Sequence, residues 1–161
     1  MKIGLLECDH VRAELNHIAG DYRDMFPALF NPHVPDIEFE NFDVCNGKFP
    51  ATVDDCDAYL ATGSQSSAYD PDDWIQSLMG FVRQLSDANK RYVGICFGHQ
   101  ILAQALGGEV TPAPQGWGAG VHQLKVVNTE SWMLPPQTTC NIQYTHGDQV
   151  RRLPEQSVVL G

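Results

Sequence analysis

The chain has 161 residues, 43% of them hydrophobic, which is enough for one sizeable core without disulfide staples, so a single domain over residues 1–161 is expected. Ten basic against twenty acidic residues give a net charge of −10, which disfavours nucleic acid and anionic membrane surfaces as partners. Five widely spaced cysteines (Cys8, Cys45, Cys56, Cys96 and Cys140) without a Cys-x-x-Cys pair argue against a disulfide framework and a zinc site. The opening Met1-Lys2-Ile3-Gly4-Leu5-Leu6 meets Glu7 and Asp9 too soon for a signal peptide, and no run is long enough to span a bilayer. The expected setting is therefore cytoplasmic and reducing.

In chain order, Lys2 to Leu6 reads as a buried strand, and Asp21 to Phe30 as a helix with Tyr22, Met25, Phe26 and Leu29 on one face. Ile37 to Val44 contains a second strand and Ala58 to Thr62 forms a third. The acids at Asp54-Asp55-Cys56-Asp57 read as solvated and not as metal ligands. Those at Asp70-Pro71-Asp72-Asp73 read as a helix start, with Asp70 as N-cap, ahead of the apolar face Trp74, Ile75, Leu78, Met79, Val82 and Leu85. Tyr92 to Ile95 reads as a short buried strand, followed by a helix that Gly107-Gly108 ends. This alternation predicts an α/β fold with a doubly wound, mostly parallel sheet. Beyond Gly108 short strands, including Val121 to Val127 and Asn141 to Thr145, are expected as antiparallel edge additions.

The segment Gly94-Ile95-Cys96-Phe97-Gly98-His99-Gln100 places Cys96 at the turn between that strand and that helix. Glycines two residues either side let strand and helix approach closely while the central residue takes a strained conformation, which is the design of a nucleophile elbow. The helix N-terminus is expected to favour the thiolate, and the Phe97 amide to face the oxyanion formed when Cys96 attacks a carbonyl. The remaining cysteines read as small buried hydrophobes.

Gly94, Cys96, Gly98 and Gln100 match the Gly-x-Cys-x-Gly-x-Gln elbow, and here the chain resembles the class I glutamine amidotransferases. Ala61-Thr62-Gly63-Ser64-Gln65-Ser66-Ser67-Ala68-Tyr69 resembles that family's glycine-containing loop after the third strand. Tyr144-Thr145-His146-Gly147-Asp148-Gln149-Val150 resembles its Ser-His-Gly-Asp-x-Val segment, as in the guanylate-synthase-like branch, and Gly116-Trp117-Gly118-Ala119-Gly120-Val121 a segment of stand-alone members. The resemblance implies a flavodoxin-like fold and hydrolysis of the glutamine side-chain amide through a Cys96 glutamyl thioester. It implies oxyanion donors at Gly63 or Ser64 and at Phe97, a glutamine pocket at Gln100, Thr145, His146 and Gly147, no metal or cofactor, and ammonia passed to a partner synthetase. A γ-glutamyl hydrolase or peptidase on the same fold, or an inactive binding remnant, stands as the alternative.

The family's base and its orienting acid come from a His-Pro-Glu motif, and no His-x-Glu occurs here. The expectation is a domain lacking its C-terminal part, with the 161-residue chain itself inactive. A triad of Cys96, His146 and Asp148 is the competing reading. His99 is expected to turn away from the elbow and pack under the sheet. Asp148 is expected to bond amides in its own turn. Asp9-His10, at the end of the first strand, is a candidate for a minor substrate contact, and His17, His33 and His122 carry no assigned role.

Overall fold

The computed structural model describes residues 1–161. Four strands, β1 (Lys2–Leu6), β2 (Glu38–Phe42), β3 (Ala58–Ala61) and β4 (Arg91–Gly94), form one parallel sheet in the order β2-β1-β3-β4. Alternation along a strand sends successive side chains to opposite faces, and the core divides accordingly. Leu6, Tyr59 and Ala61 join Ile75, Leu78, Val82 and Leu85 of α3 (Asp73–Asp87) and Phe97 and Ile101 of α4 (Phe97–Ala105) on one face. Ile3, Leu5 and Leu60 lie on the other, with Phe26 and Phe30 of α2 (Tyr22–Phe30) packed against them. A single-turn helix, α1 (Asn16–Ala19), precedes α2 and contains His17.

Local chemistry explains most boundaries. Asp21 caps α2 in a reciprocal capping box with Asp24, and Gly107, at φ 90°, ends the run of α4. The N-terminus of α3 departs from expectation. Asp70 is not its cap, because Asp70 Oδ2 accepts the Ser67 amide at 2.7 Å and so closes the preceding loop. The chain stays extended through Asp72, and the helix begins at Asp73.

The antiparallel strands form as expected but do not extend the parallel sheet. β6 (Gly118–Lys125) pairs with β7 (Thr139–His146), and β5 (Glu109–Pro112) with β8 (Asp148–Arg152), as two separate two-stranded sheets. Gly147 is the only residue between β7 and β8, so the chain changes sheet at a point where a Cβ would stand 2.9 Å from the Trp117 ring. His122 lies on β6 with its ring against Tyr144.

Because those strands pair elsewhere, β4 is left at the sheet edge. Val93 and Ile95, two apart and therefore on one face, are 57% and 40% exposed, against the expectation of a buried strand. An apolar edge of this kind templates association. The 161-residue chain should therefore self-associate with rising concentration, and Val93→Lys should shift sedimentation or light scattering towards monomer. An unsubstituted chain that stays monomeric throughout would contradict this.

Candidate active site

Cys96 is the residue between β4 and α4, with φ 51° and ψ −104°, a conformation rare for a residue with a side chain. Two close approaches hold it there. A Cβ on Gly94 would stand 2.5 Å from the Gly98 carbonyl oxygen, and one on Gly98 would stand 2.7 Å from the Ala61 carbonyl oxygen and 2.8 Å from Ala61 Cβ. Hydrogen bonds secure the turn against the end of β3: the Ile95 amide donates to Ala61 O at 3.0 Å, the Gly98 amide to Thr62 O at 3.2 Å, and the Tyr92 hydroxyl to Gly98 O at 2.9 Å. Phe97 is fully buried, its ring 5.5 Å from that of Trp74. The tip of the elbow stays exposed.

The loop after β3 faces the thiol. A Cβ built on Gly63 would sit 3.7 Å from Cys96 Cβ. Buried Thr62 anchors this loop, since its hydroxyl accepts the Cys8 amide at 2.9 Å and donates to the Gly63 carbonyl at 3.0 Å. With that carbonyl turned inward, the trans peptide directs the Ser64 amide the opposite way. Asp9 ties the same loop to β1 by accepting the Gln65 amide at 2.9 Å.

From the other side comes Asp148. Its carboxylate does not bond amides of its own turn; it accepts from the Ser67 hydroxyl at 2.6 Å and the Tyr69 hydroxyl at 3.0 Å, fastening β8 to the β3 loop. Its backbone carbonyl receives both His146 Nδ1, at 2.8 Å, and Gln100 Nε2, at 3.2 Å. Gln100 is buried, so it supports the wall of the site through the Asp148 backbone. His146 lies at the end of β7 and is bonded to Asp148 only through that carbonyl, so the pairing that a Cys96–His146–Asp148 triad needs is absent. Thr145 is exposed on β7 opposite Ala119 of β6. His99 is exposed and not packed under the sheet; partial burial and neighbouring His146 lower its pKa.

The thiol is not pre-ionised. Burial pushes the Cys96 pKa up, the Phe97 amide offsets part of this, and the charge of Asp148 adds to the rise. The expectation of a helix-stabilised thiolate is thus corrected: the Phe97 amide does not outweigh desolvation plus a neighbouring carboxylate. Sequence reasoning did not single out the Tyr22 phenol, whose pKa is pushed up by burial and by the charges of Asp9, Asp21 and Cys96. It also missed the Asp148 clamp, although Ser67 and Tyr69 stand in the same run as Gly63.

Gly98→Ala should cost about 1–3 kcal/mol in urea unfolding, because the added methyl meets backbone that cannot yield. Gly80→Ala, in open space within α3, should instead stabilise by about 0.5–1 kcal/mol, so equal effects at the two glycines would refute the close-approach account. In brief alkylation read by mass spectrometry, exposed Cys96 should react before Cys8 and Cys45, whose thiols burial pushes up to about 12. Because the Cys96 pKa is raised, its thiolate is scarce at neutral pH, and its alkylation rate should keep climbing through pH 9. A plateau near pH 7 would contradict the raised pKa.

The glutamine amidotransferase class-I family model matches residues 54–161 of this chain. Gamma-glutamyl peptidase 5 of Arabidopsis thaliana is 32% identical over 151 residues, covering 88% of this chain and 58% of the peptidase. The glutamine-hydrolyzing GMP synthase of Neisseria meningitidis serogroup C is 32% identical over 105 residues, 63% of this chain and 19% of the synthase. A solved glutamine amidotransferase from Thermotoga maritima shares the fold with a TM-score of 0.80 at 18% identity, over 98% of this chain and 65% of that one. The chain therefore spans less than two thirds of the length of these relatives. With its elbow, its parallel sheet and a family match over well more than half its residues, the chain belongs to the class I glutamine amidotransferases.

Proposed function

We propose that Cys96 is the nucleophile of a glutamine amidotransferase, attacking the side-chain amide carbon of glutamine. The single observation that carries this is the elbow itself: an exposed cysteine on strained backbone at φ 51°, with the glycine loop so close that a Cβ on Gly63 would stand 3.7 Å from Cys96 Cβ. The thiol proton passes to a base as the carbon–sulfur bond forms. The carbonyl oxygen takes the negative charge and is met by the Phe97 amide and an amide of Gly63 or Ser64, donors that matter because the charge develops only in the transition state. The base then protonates the departing ammonia, and water cleaves the glutamyl thioester. Ser64 is the better second donor, given the inward Gly63 carbonyl.

Gln100, Thr145, His146 and Gly147 belong to the pocket in this reading, with Gln100 and His146 acting by holding the Asp148 backbone in place. The ammonia would pass to a synthetase, a reading to which the similarity to the glutamine-hydrolyzing GMP synthase adds weight. A second reading, release of an amino acid or peptide from a γ-glutamyl amide through the same thioester, is favoured by the relatives at 32% and 30% identity that are named gamma-glutamyl peptidases. The chemistry at Cys96 is common to both, and only the leaving amine differs.

No hydrogen bond joins His146 to Cys96, and the thiol is held in its protonated form. The 161-residue chain is therefore expected to release glutamate from glutamine, or from a γ-glutamyl dipeptide, at far below about 1 per second. The small residual rate should vanish in Cys96→Ala. Turnover near ordinary enzyme rates would show a competent base within residues 1–161, and a residual rate that survives Cys96→Ala would remove Cys96 from the chemistry.

A further inference from the structure

A second cluster of reactive side chains sits at the same end of the sheet and has no step in the reaction proposed for Cys96. β1 and β2 run in parallel register, with Leu6 opposite Phe42, so the segments leaving their ends meet. His10 comes from the first, and Asp43 and Cys45 from the second, where a 3-10 turn over Val44–Asn46 fixes the backbone. His10 Nε2 stands 3.1 Å from Asp43 Oδ1, Cys45 Sγ stands 3.4 Å from that same oxygen, and the ligand atoms of all three residues lie within 4.8 Å of one another. A tetrahedral zinc ion, with bonds of about 2.0–2.1 Å to nitrogen and oxygen and about 2.3 Å to sulfur, needs N···O and S···O separations of about 3.3 and 3.5 Å. The two measured separations fall a few tenths of an ångström or less below these.

The surroundings orient the ligands. Asp21 Oδ2 lies 2.7 Å from His10 Nδ1, while Asp21 Oδ1 accepts the amides of Val11 at 3.0 Å and Tyr22 at 2.8 Å. Asp21 is therefore a fixed acceptor and His10 Nδ1 carries the hydrogen, so Nε2, which faces Asp43 Oδ1, is the nitrogen that would ligate, in the carboxylate–histidine arrangement that orients metal ligands. Asn46 Nδ2 lies 2.9 Å from Asp43 Oδ1 and 3.9 Å from Cys45 Sγ, a donor to both ligand atoms. Lys48 contacts the other Asp43 oxygen at 3.4 Å from a largely exposed position, so at Oδ1 a metal would replace the His10 Nε2 contact and not a lysine. The buried carboxylate of nearby Glu7 is already answered by Arg23, at 3.1 and 3.0 Å.

We propose that His10 Nε2, Asp43 Oδ1 and Cys45 Sγ bind a divalent transition metal of the zinc class, with Asp21 positioning His10 and the fourth coordination position left to water. Binding forms three metal–ligand bonds and releases to solvent the Cys45 thiol proton and any proton on His10 Nε2. With β3 between β1 and β4, the site stands about 10 Å or more from the elbow strand, since neighbouring strands are about 4.8 Å apart. It thus joins the loops leaving β1 and β2 and stays apart from the chemistry at Cys96. No sequence spacing announced it, because the ligands are 33 and 35 residues apart along the chain and meet only through strand pairing.

Cobalt(II) titration of the 161-residue chain carrying Cys96→Ala tests this, because a thiolate bound to tetrahedral cobalt gives a sulfur-to-metal charge-transfer band and visible d–d bands. The expected result is a band that saturates at one cobalt per chain, is displaced by zinc, is unchanged in Cys140→Ser and is absent in Cys45→Ser. Affinity should fall about 10–100-fold in Asp21→Asn. No thiolate band, or one that survives Cys45→Ser, overturns the proposal. If Cys45→Ser does not fold, alkylation decides: zinc must shield Cys45 in the chain that retains it, and unshielded Cys45 overturns the site.

Discussion

Contact between the elbow and the end of β3 governs the rest of this molecule. The Gly98 backbone lies against Ala61 and the Gly94 backbone against Gly98, at distances that leave no room for a methyl at either position. Cys96, caught between them, is held at a positive φ that costs about 1–3 kcal/mol, and the surrounding hydrogen bonds and the buried Phe97–Trp74 pair sustain it. The same contact brings the Gly63 loop to the sulfur, because that loop is the continuation of β3. The strained cysteine, the loop that faces it and the helix N-terminus are therefore consequences of one packing event.

Charge is the second constraint. The region around the sulfur is acidic: Asp148 raises the thiol pKa, and Asp9, Asp21 and the thiol itself raise that of Tyr22. Asp148 also has a mechanical task, since its carboxylate joins Ser67 and Tyr69 while its carbonyl holds His146 and Gln100. The carboxylate that a triad would require is thus committed to a clamp. The elbow positions the sulfur, and none of these contacts offers it a base.

Much of this was legible in the sequence, for physical reasons. Period-two and period-3.6 apolar patterns marked β1, α2 and α3, and the paired glycines marked the elbow, because these are local requirements. What escaped depends on distant segments. Asp70 looked like a cap but closes onto Ser67, and Val93 and Ile95 looked buried but lie on an edge strand. His10 looked partnerless until the register of β1 on β2 set it between Asp21 and Asp43. The direction of the Cys96 pKa also depended on a carboxylate 52 residues away along the chain, as the numbering of Cys96 and Asp148 shows.

The central claim is that Cys96 attacks the γ-carbonyl carbon of a glutamyl group held at the elbow. A chloroketone analogue of glutamine places an electrophilic carbon at that position and traps the sulfur irreversibly, so the site of modification can be read by peptide mass spectrometry. The account predicts one adduct, on Cys96, formed faster than with a chloroketone of similar size lacking the glutamyl group and slowed by added glutamine or γ-glutamyl dipeptide. Adducts spread over several cysteines, or a Cys96 adduct indifferent to both the glutamyl group and the competitors, would contradict it.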